Sequence, residues 1–425
     1  MRGARVSRWS RSVVLSVLVS IVGCQSQTSS TDSSYRRSLD TEVTVTGEPE
    51  ADPIDEVEVL IVGAGVAGMA AASVLDDAGG DYLIIDLDTQ MGGTALYTGG
   101  WMTFSGSSTQ STAGIEDSPE LLLAEWEGMT GGSPDDPWVQ SYANRNVEVH
   151  DWLVEQGIDF ALTSLASDGA SVRRIHMPDG GGDTIARVLR DEIDETRVWL
   201  QTRCTELIMG SDGGIVGARV QQELGESWIR AEATLVATGG FLRDRERVAW
   251  ARPDLDVEAL WFASGPQALG TGHQMLDDVG AAWDNASAIS IYAHGVADPR
   301  TDGEELVLLA SQPLVMVNAQ GERFTSEAPD NGYGQGRDLV SQTDQLGFYV
   351  FDAGTRGQLS IHDPMVLETE GELPLLDDLE SSGQLVKAES LAELAAGLGI
   401  DSDELVVTAE AVNRALDEGT EDALW

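Results

Sequence analysis

Three glycines early in the chain have the spacing needed to hold a phosphate group. Gly63, Gly65 and Gly68 follow the G-x-G-x-x-G pattern directly after the apolar run 57–62. In this pattern the first glycine permits a tight turn, the second lets a pyrophosphate approach the backbone, and the third lets a helix pack closely on a strand. The free N–H groups at the start of that helix then face the phosphate charge. In a chain with 47 glycines, such a triplet can also be a plain loop.

The segments around the glycines must supply a strand, a helix and a second strand. Residues 57–62 form a β-branched apolar run that predicts a buried strand, and residues 69–78 have helix-forming composition before a stop at Gly79. Tyr82–Ile85 predicts a second strand, which ends at Asp86. An acid at this distance from the glycines is placed to accept hydrogen bonds from a ribose 2′-OH. The whole constellation predicts a Rossmann-like α/β domain that binds FAD or NAD, and Asp86 disfavours the 2′-phosphate of NADP.

Length, charge and cysteine count narrow the class of protein. The 425 residues allow two domains, and the net charge of −47 disfavours binding to nucleic acid or to anionic membranes. The acidic surface fits either simple solubility or adaptation to a salty medium. Two cysteines exclude a disulfide framework, a cluster ligated by cysteines alone and a C-x-x-C-H haem site, and the five histidines show no metal-ligand spacing. Any electron donor or acceptor beyond a bound cofactor must therefore be another molecule.

The first 23 residues have the pattern of an export signal. Four arginines precede an apolar core at residues 13–22, and Cys24 follows directly after Gly23. This resembles the lipobox of bacterial lipoproteins, which predicts a lipid anchor on Cys24 and an exported protein attached to the membrane of the cell envelope or periplasm. An ordinary signal peptide or an uncleaved anchor is the alternative. Residues 24–55 are rich in Ser, Thr, Asp and Glu and predict a flexible tether.

Several later stretches carry weaker signals. The glycine pairs Gly92-Gly93 and Gly99-Gly100 suggest either a backbone surface for a ligand or a mobile loop. Ser118-Pro119 predicts a helix start, and residues 138–152 predict a helix in which His150 is a partly buried residue rather than a ligand. Residues 173–178 form a short basic stretch, residues 184–195 predict a helix, and residues 199–207, 215–220 and 233–237 predict strands.

The order of these stretches resembles the fumarate reductase/succinate dehydrogenase flavoprotein family of FAD-dependent oxidoreductases (FAD-dependent oxidoreductase 2 type), in particular its flavocytochrome-like branch. It is also similar to 3-ketosteroid dehydrogenase-like enzymes. The resemblance covers roughly residues 56–425, and the stretches that carry it are V-L-I-V-G-A-G-V-A-G-M-A-A-A, G-G-T-A-L-Y-T-G-G, R-R-I-H-M-P-D-G, L-V-A-T-G-G-F, G-T-G-H-Q-M-L-D-D-V-G-A and V-N-A-Q-G-E-R-F-T-S-E. It implies FAD rather than NAD, bound without a covalent bond because no histidine follows in the first glycine-pair loop. It also implies an FAD-binding domain at residues 56–289 and an inserted α+β capping domain from residue 290 to residue 425.

The resemblance assigns cofactor contacts residue by residue. The implied FAD-binding residues are Gly63, Ala64, Gly65, Ala67, Gly68, Asp86, Gly92, Gly93, Thr94, Gly99, Gly100, Cys204, Ala237, Thr238, Gly239 and Gly240. His294 falls near the family's substrate-binding histidine, with an ordinary loop histidine as the alternative. Arg337 matches the arginine that donates a proton in fumarate reductases, with a salt-bridged surface arginine as the alternative.

Two departures from the family shape the expected function. The Thr-Glu and Arg-Gly-Glu-Gly segments that precede the V-N stretch in fumarate reductases have no counterpart here, and the glycine-rich C-terminal return segment is expected to be missing. The sequence thus predicts an oxidoreductase that adds or removes hydrogen across a C–C bond next to a carboxylate or carbonyl of a small molecule. The alternatives are a 3-ketosteroid-type enone dehydrogenase and a truncated, non-catalytic FAD-binding remnant.

Overall fold

A computed structural model describes residues 14–20, 47–163, 169–257, 260, 264–291, 293, 295–300, 305–310, 314–327, 332–356, 359–362 and 374–418. Strands are distributed along the whole of this described part. They are β1 Val14–Ser20, β2 Asp55–Val62, β3 Tyr82–Ile85, β4 Met102–Thr103, β5 Phe160–Leu162, β6 Ile175–Pro178, β7 Val198–Trp199, β8 Arg203–Met209, β9 Ile215–Gln222, β10 Gly225–Val236, β11 Gly295–Ala297, β12 Glu305–Ala310, β13 Val315–Val317, β14 Leu346–Asp352, β15 Leu359–His362 and β16 Leu385–Ala388.

The helices lie between these strands. They are α1 Val66–Ala78, α2 Ser108–Thr112, α3 Pro119–Thr130, α4 Pro137–Glu155, α5 Gly181–Asp191, α6 Arg245–Ala251, α7 Thr271–Asp278, α8 Gly332–Val340, α9 Ala353–Arg356, α10 Pro374–Ser382, α11 Leu391–Leu398 and α12 Ser402–Glu418. Single 3-10 turns occur at Gly93–Tyr97, Glu195–Arg197 and Thr343–Gln345. No helix within these described ranges is long and apolar enough to cross a membrane.

A six-stranded sheet in the order β7-β3-β2-β10-β9-β8 organises the first part of the fold. The strands β7, β3, β2 and β10 run parallel, whereas β9 and β8 continue the sheet antiparallel. The carboxyl end of β2, residues 60–62, is buried on both faces: Ile61 packs with α1 and α5, and Leu60 packs on the opposite side with Met275 of α7. This explains why the strand is apolar at that end, whereas Glu56 and Glu58 nearer its start are exposed.

The predicted strand–helix–strand unit is present with nearly the expected bounds. Helix α1 ends where Gly79 adopts the left-handed conformation with a φ of 69°, as a C-terminal glycine cap does. Ser118 begins α3 because its side chain accepts a hydrogen bond from the N–H of Leu121 at 3.2 Å. His150 lies in α4 as predicted, but it is fully buried rather than partly buried.

Some boundaries differ from the predictions for local reasons. The predicted strand 199–207 is divided into β7 and β8 because Gln201, with a φ of 53°, turns the chain between them. Helix α5 begins three residues before the predicted start, after Gly180 in the left-handed conformation.

A second sheet, β13-β14-β1-β16, is antiparallel and lies in the C-terminal half apart from one strand. That strand, β1, falls within residues 13–22, the predicted apolar core of the export signal. The sheet separates two apolar cores, one that includes Tyr349 and Leu385 and another that includes Phe348 and Leu405. Two further three-stranded sheets have the orders β11-β12-β15 and β4-β6-β5.

Candidate cofactor site

The turn between β2 and α1 uses its three glycines in three different ways. Gly63 has a φ of 114°, and a Cβ there would lie 2.3 Å from the carbonyl oxygen of Ala237. A Cβ on Gly68 would lie 1.9 Å from the carbonyl oxygen of Gly63, so this glycine permits helix and turn to touch. A Cβ on Gly65 would meet nothing within 4 Å. Gly65 therefore faces open space, as a residue must where a pyrophosphate approaches the backbone.

The start of α1 is free to receive an anion. Gly65 is its N-cap and provides no side-chain hydrogen bond, so the first N–H groups of the helix have no side-chain cap. A helix N-terminus with open space before it attracts a phosphate through those N–H groups and through the helix dipole. The turn thus fits the pyrophosphate of a dinucleotide cofactor.

Asp86 lies at the end of β3 and holds this turn in place. One carboxylate oxygen accepts a hydrogen bond from the N–H of Ala64 at 2.6 Å, and the other accepts one from the N–H of Asp88 at 2.8 Å. A carboxylate has about four lone-pair positions, so capacity remains for a ribose hydroxyl. Asp86 therefore has a structural role in this turn, and it retains acceptor capacity for the predicted contact with a ribose.

A cavity of about 360 Å³ extends from this turn along the carboxyl ends of the parallel strands. Most of the predicted cofactor residues line it together. They are Gly63, Gly65, Ala67, Asp86, Gly92, Gly93, Thr94, Cys204, Ala237, Thr238, Gly239 and Gly240. The carboxyl end of a parallel sheet is where open α/β folds bind their ligands, so this cavity is the candidate cofactor site.

The remaining predicted cofactor residues, Ala64, Gly68, Gly99 and Gly100, do not line the cavity. Ala64 is fully buried and acts through its backbone, which also accepts a hydrogen bond from the N–H of Gly92 at 2.9 Å. Gly68 makes the helix contact described above. Gly100, with a φ of 66°, contacts the start of α5, where a Cβ would lie 2.7 Å from the nitrogen of Gly182. A Cβ on Gly99 would lie 2.9 Å from the Trp101 ring nitrogen, so this glycine pair serves close packing.

Cys204 is half-buried in the cavity wall and stays a thiol. Burial raises its pKa to about 12, and its Sγ donates to the carbonyl oxygen of Glu206 at 3.9 Å. A protonated thiol is a poor nucleophile. The Cys204 side chain is therefore an unreactive part of the cavity wall.

Several lining residues had no role in the sequence-based prediction. They include Thr202, Arg203, Gln267, Ala268, Thr271 and His273. His273 belongs to the G-T-G-H stretch that carries the family resemblance, which was the available signal. Its Nδ1 is buried and has no hydrogen-bond partner among the described residues, and burial lowers its pKa, so the ring is neutral near pH 7. In a neutral imidazole, Nδ1 either donates or accepts one hydrogen bond, depending on the tautomer.

Of the two predicted catalytic residues, Arg337 does not line this cavity. His294 lies outside the described residues. Arg337 lies on α8 with a side chain that is 61% exposed, and its Nη2 is 3.2 Å from an Asp338 carboxylate oxygen. The other Asp338 oxygen accepts from the hydroxyl of Thr325 at 2.9 Å. Arg337 therefore presents its charge to solvent beside a fixed carboxylate.

The V-N-A-Q-G-E-R-F-T-S-E stretch has a structural role in this fold. Glu327 is 5% exposed, accepts a hydrogen bond from the N–H of Met316 at 2.8 Å and pairs with Arg323. Burial raises the pKa of Glu327, while Arg323 opposes that shift. Asn318 accepts from the backbone N–H groups of Gln320 and Glu322, each at 3.0 Å, and so closes the turn. These hydrogen bonds connect β13 to residues 318–327, which follow it in the chain.

The basic stretch 173–178 is not a basic surface. Arg174 is fully buried; its Nε and Nη2 each lie 2.8 Å from the Asp117 carboxylate, and its Nη1 lies 2.7 Å from Glu125. His176 is also fully buried and contacts the hydroxyl of Ser107 at 2.7 Å. These groups stabilise the region around α2 and α3.

Comparison with known proteins supports the assignment of this cavity as a cofactor site. A family model described as "FAD binding domain" matches residues 58–423. The chain belongs to this FAD-binding family. FAD is therefore the cofactor, and the glycine turn, Asp86 and the cavity wall are the residues that fit it.

Individual relatives have different activities. The chain is 28% identical over 375 residues to the fumarate reductase (cytochrome) of Shewanella frigidimarina, which covers 86% of this chain and 62% of that protein. It is 32% identical over 309 residues to a KsdD-like steroid dehydrogenase of Mycolicibacterium smegmatis, which covers 63% of this chain and 56% of the relative. The crystal structure of 3-ketosteroid-Δ4-(5α)-dehydrogenase from Rhodococcus jostii RHA1 shares the fold, with a TM-score of 0.67 and 20% identity over 88% of this chain and 80% of that chain. The chain thus spans less than two thirds of the length of these two sequence relatives.

Proposed function

We propose that this protein is an FAD-dependent oxidoreductase that adds or removes hydrogen across a C–C bond next to a carboxylate or carbonyl. The observation that carries the proposal is the cofactor cavity, in which an open glycine turn and an uncapped helix start face Asp86. The fumarate reductase relative supports the reaction class. Bound FAD supplies hydride transfer, and the protein supplies binding, orientation and protons.

Arg337 is the proposed substrate-binding and proton-delivering residue. A guanidinium forms two parallel hydrogen bonds to a carboxylate, which orients a carboxylate-bearing substrate. The Arg337 side chain is exposed and can therefore contact a ligand. Its partner Asp338 is held by the Thr325 hydroxyl, which limits the positions that the guanidinium can adopt. His294 is proposed as a second substrate contact on the basis of the family resemblance alone. Residues from 290 onward are proposed to form the capping domain that carries both side chains.

Substitution of Arg337 tests this assignment. In Arg337→Gln, we expect the rate of fumarate reduction by a reduced dye to fall by about 100-fold or more, while the flavin content stays unchanged. A factor of about 100 is the lower end of what a positioned general acid contributes. Arg145→Gln is the matched control, because Arg145 is also an exposed arginine beside a carboxylate, that of Glu148 at 3.2 Å. Equal turnover in the two variants contradicts the role of Arg337.

A 3-ketosteroid-type enone dehydrogenase is the second candidate function. The segment before the V-N stretch reads L-V-L-L-A-S-Q-P-L-V-M, which is apolar where fumarate reductases carry charged segments. The steroid dehydrogenase relative also supports an apolar ketone substrate. Turnover of a cyclic ketone with a dye acceptor, without turnover of fumarate with a reduced dye, identifies this activity. Absence of turnover with both substrates, in a protein that holds FAD, is the result expected of the non-catalytic remnant.

We also propose that the protein is exported, lipid-anchored through Cys24 and served by an external electron carrier. The support is the basic and apolar pattern that precedes Cys24, which itself lies outside the described residues. Incorporation of a labelled fatty acid by the wild-type chain and not by Cys24→Ser tests the anchor. Equal labelling of both chains contradicts it.

A further inference from the structure

The sheet β13-β14-β1-β16 is formed by three strands of the C-terminal half and by β1, which lies near the N-terminus. β14 and β16 are not hydrogen-bonded neighbours; each pairs antiparallel with β1, which lies between them. All seven residues of β1 are in register with β14, and four of them are also in register with β16. Because neighbouring strands lie about 4.8 Å apart, the space between β14 and β16 is the width of one strand.

This strand position is enclosed on both faces of the sheet. Tyr349 and Phe351 of β14 belong to one apolar core, whereas Phe348 and Val350 belong to the other, and none of the four is more than 4% exposed. Leu385 of β16 is 2% exposed and joins the first core. The edges of β14 and β16 on either side of this position therefore lie between two apolar cores, and without β1 their backbone groups would lose the strand with which they pair.

The sequence of β1 suits a strand that is buried on both faces. It reads V-L-S-V-L-V-S, with no charge and no proline. A strand covered on both sides has a nearly continuous β-branched and aliphatic sequence, and proline would remove a hydrogen bond from its ladder. The same composition makes this segment resemble the apolar core of an export signal. A single molecule cannot use the segment for both purposes, since cleavage before Cys24 removes residues 14–20.

We propose that residues 14–20 are a built-in completing strand, which fills the position between β14 and β16 as long as the chain is uncleaved. Cleavage before Cys24 then opens a buried slot with two unpaired strand edges. Completion of this sheet and signal cleavage are thus mutually exclusive events in one molecule.

Register-specific cross-linking of the full chain tests the proposal. The background is Cys24→Ser, which removes the lipidation site and leaves Cys204 as the one native thiol, common to every variant including the control. Two pairs follow the observed register, Val17→Cys with Leu385→Cys and Ser16→Cys with Val386→Cys. One of two successive antiparallel pairs is always a non-hydrogen-bonded pair with closer Cα atoms, so at least one should form a disulfide under mild oxidation. The control joins Leu18→Cys to Leu385→Cys, one residue out of register and on the opposite face.

The expected result is a cross-link in at least one in-register pair of the native chain, none in the control, and loss of the difference in denaturant. Native in-register pairs that stay reduced, or that react no faster than the control, overturn the proposal.

Hydrogen exchange in the same background gives an independent test. Val17→Pro should speed amide exchange in β14 and β16 by about tenfold or more, because it opens only the structure that depends on β1. Ser26→Pro, outside the strand, should leave both unchanged, and β2 should exchange at the wild-type rate in each variant. Addition of a peptide with the sequence of residues 14–20 to the Val17→Pro chain should restore slow exchange in β14. Unchanged amide exchange of β14 in Val17→Pro overturns the proposal. If the Val17→Pro chain fails to fold, the cross-linking experiment is the test that decides.

Discussion

The carboxylate of Asp86 accepts a hydrogen bond from the backbone N–H of Ala64 at 2.6 Å. This contact joins the end of β3 to the glycine turn between β2 and α1. It fixes both parts of the cofactor site with one side chain, and Asp86 also lines the cavity.

Asp86→Ala should therefore weaken FAD binding by about tenfold or more, since a hydrogen bond to a charged group contributes about 1.5–3 kcal/mol. Titration of the apoprotein with FAD, followed by flavin fluorescence, measures the change. Asp77→Ala removes an exposed acid from α1 and is the matched control. Equal affinities in the two variants would show that Asp86 does not contact the cofactor.

Alanine substitutions at Gly65 and Gly68 should affect two different properties, cofactor binding at Gly65 and stability at Gly68. Gly65 has extended backbone and open space at its Cβ position, so Gly65→Ala should fold normally but lose FAD, because the methyl group occupies the pyrophosphate approach. Gly68→Ala places a Cβ 1.9 Å from the Gly63 carbonyl oxygen and should lower the free energy of unfolding by about 1–3 kcal/mol or more. Thermal unfolding and flavin content separate the two outcomes. Normal FAD binding by Gly65→Ala would move the pyrophosphate elsewhere.

Arg174 should be among the side chains on which stability depends most. Its guanidinium compensates the buried carboxylate of Asp117 and the carboxylate of Glu125, whose side chain is 15% exposed. Arg174→Met leaves both charges uncompensated and should cost about 3–5 kcal/mol of unfolding free energy. Arg173→Met is the control, expected within about 1 kcal/mol of wild type. Denaturant unfolding measures both, and equal losses would contradict the buried ion-pair account.

Stability should fall on the acid side because of His176. Burial lowers the pKa of His176, and its Nδ1–H donates to the carbonyl oxygen of Arg174 at 2.7 Å while Nε2 accepts from Ser107. The folded-state pKa lies below the unfolded value of about 6.5, so the unfolded chain binds the proton more readily. The contribution of the neutral His176 ring to the free energy of unfolding is therefore complete above about pH 6.5 and declines as the pH falls below that value. In unfolding measurements at several pH values, His176→Asn should be less sensitive to pH between about 6.5 and 5. An unchanged pH profile would contradict the neutral, buried ring.

The local parts of the fold could be predicted from the sequence. The strand, the glycines, α1 and Asp86 are consecutive, and each role follows from a residue type at a fixed spacing. The same holds for the caps at Ser118 and Gly79. These features depend on neighbours within a few residues, which a sequence displays directly.

The long-range parts could not be predicted in the same way. Arg174 has the appearance of a surface charge until α3 and the segment before it bring Asp117 and Glu125, 57 and 49 residues away, into contact. Gly99 and Gly100 suggest a ligand surface, but α5 packs against Gly100. The pairing of β1 with β14 joins opposite ends of the chain, and its apolar composition fits a buried strand as well as an export signal.

The flavin content of the purified full chain is the decisive measurement for the cofactor site. We expect close to one FAD per wild-type chain, visible as the absorbance of a bound oxidised flavin and released on denaturation, and none in a Gly65→Ala chain that is equally folded. If a folded wild-type chain stays colourless after incubation with FAD, then the glycine turn, Asp86 and the cavity do not form a working cofactor site.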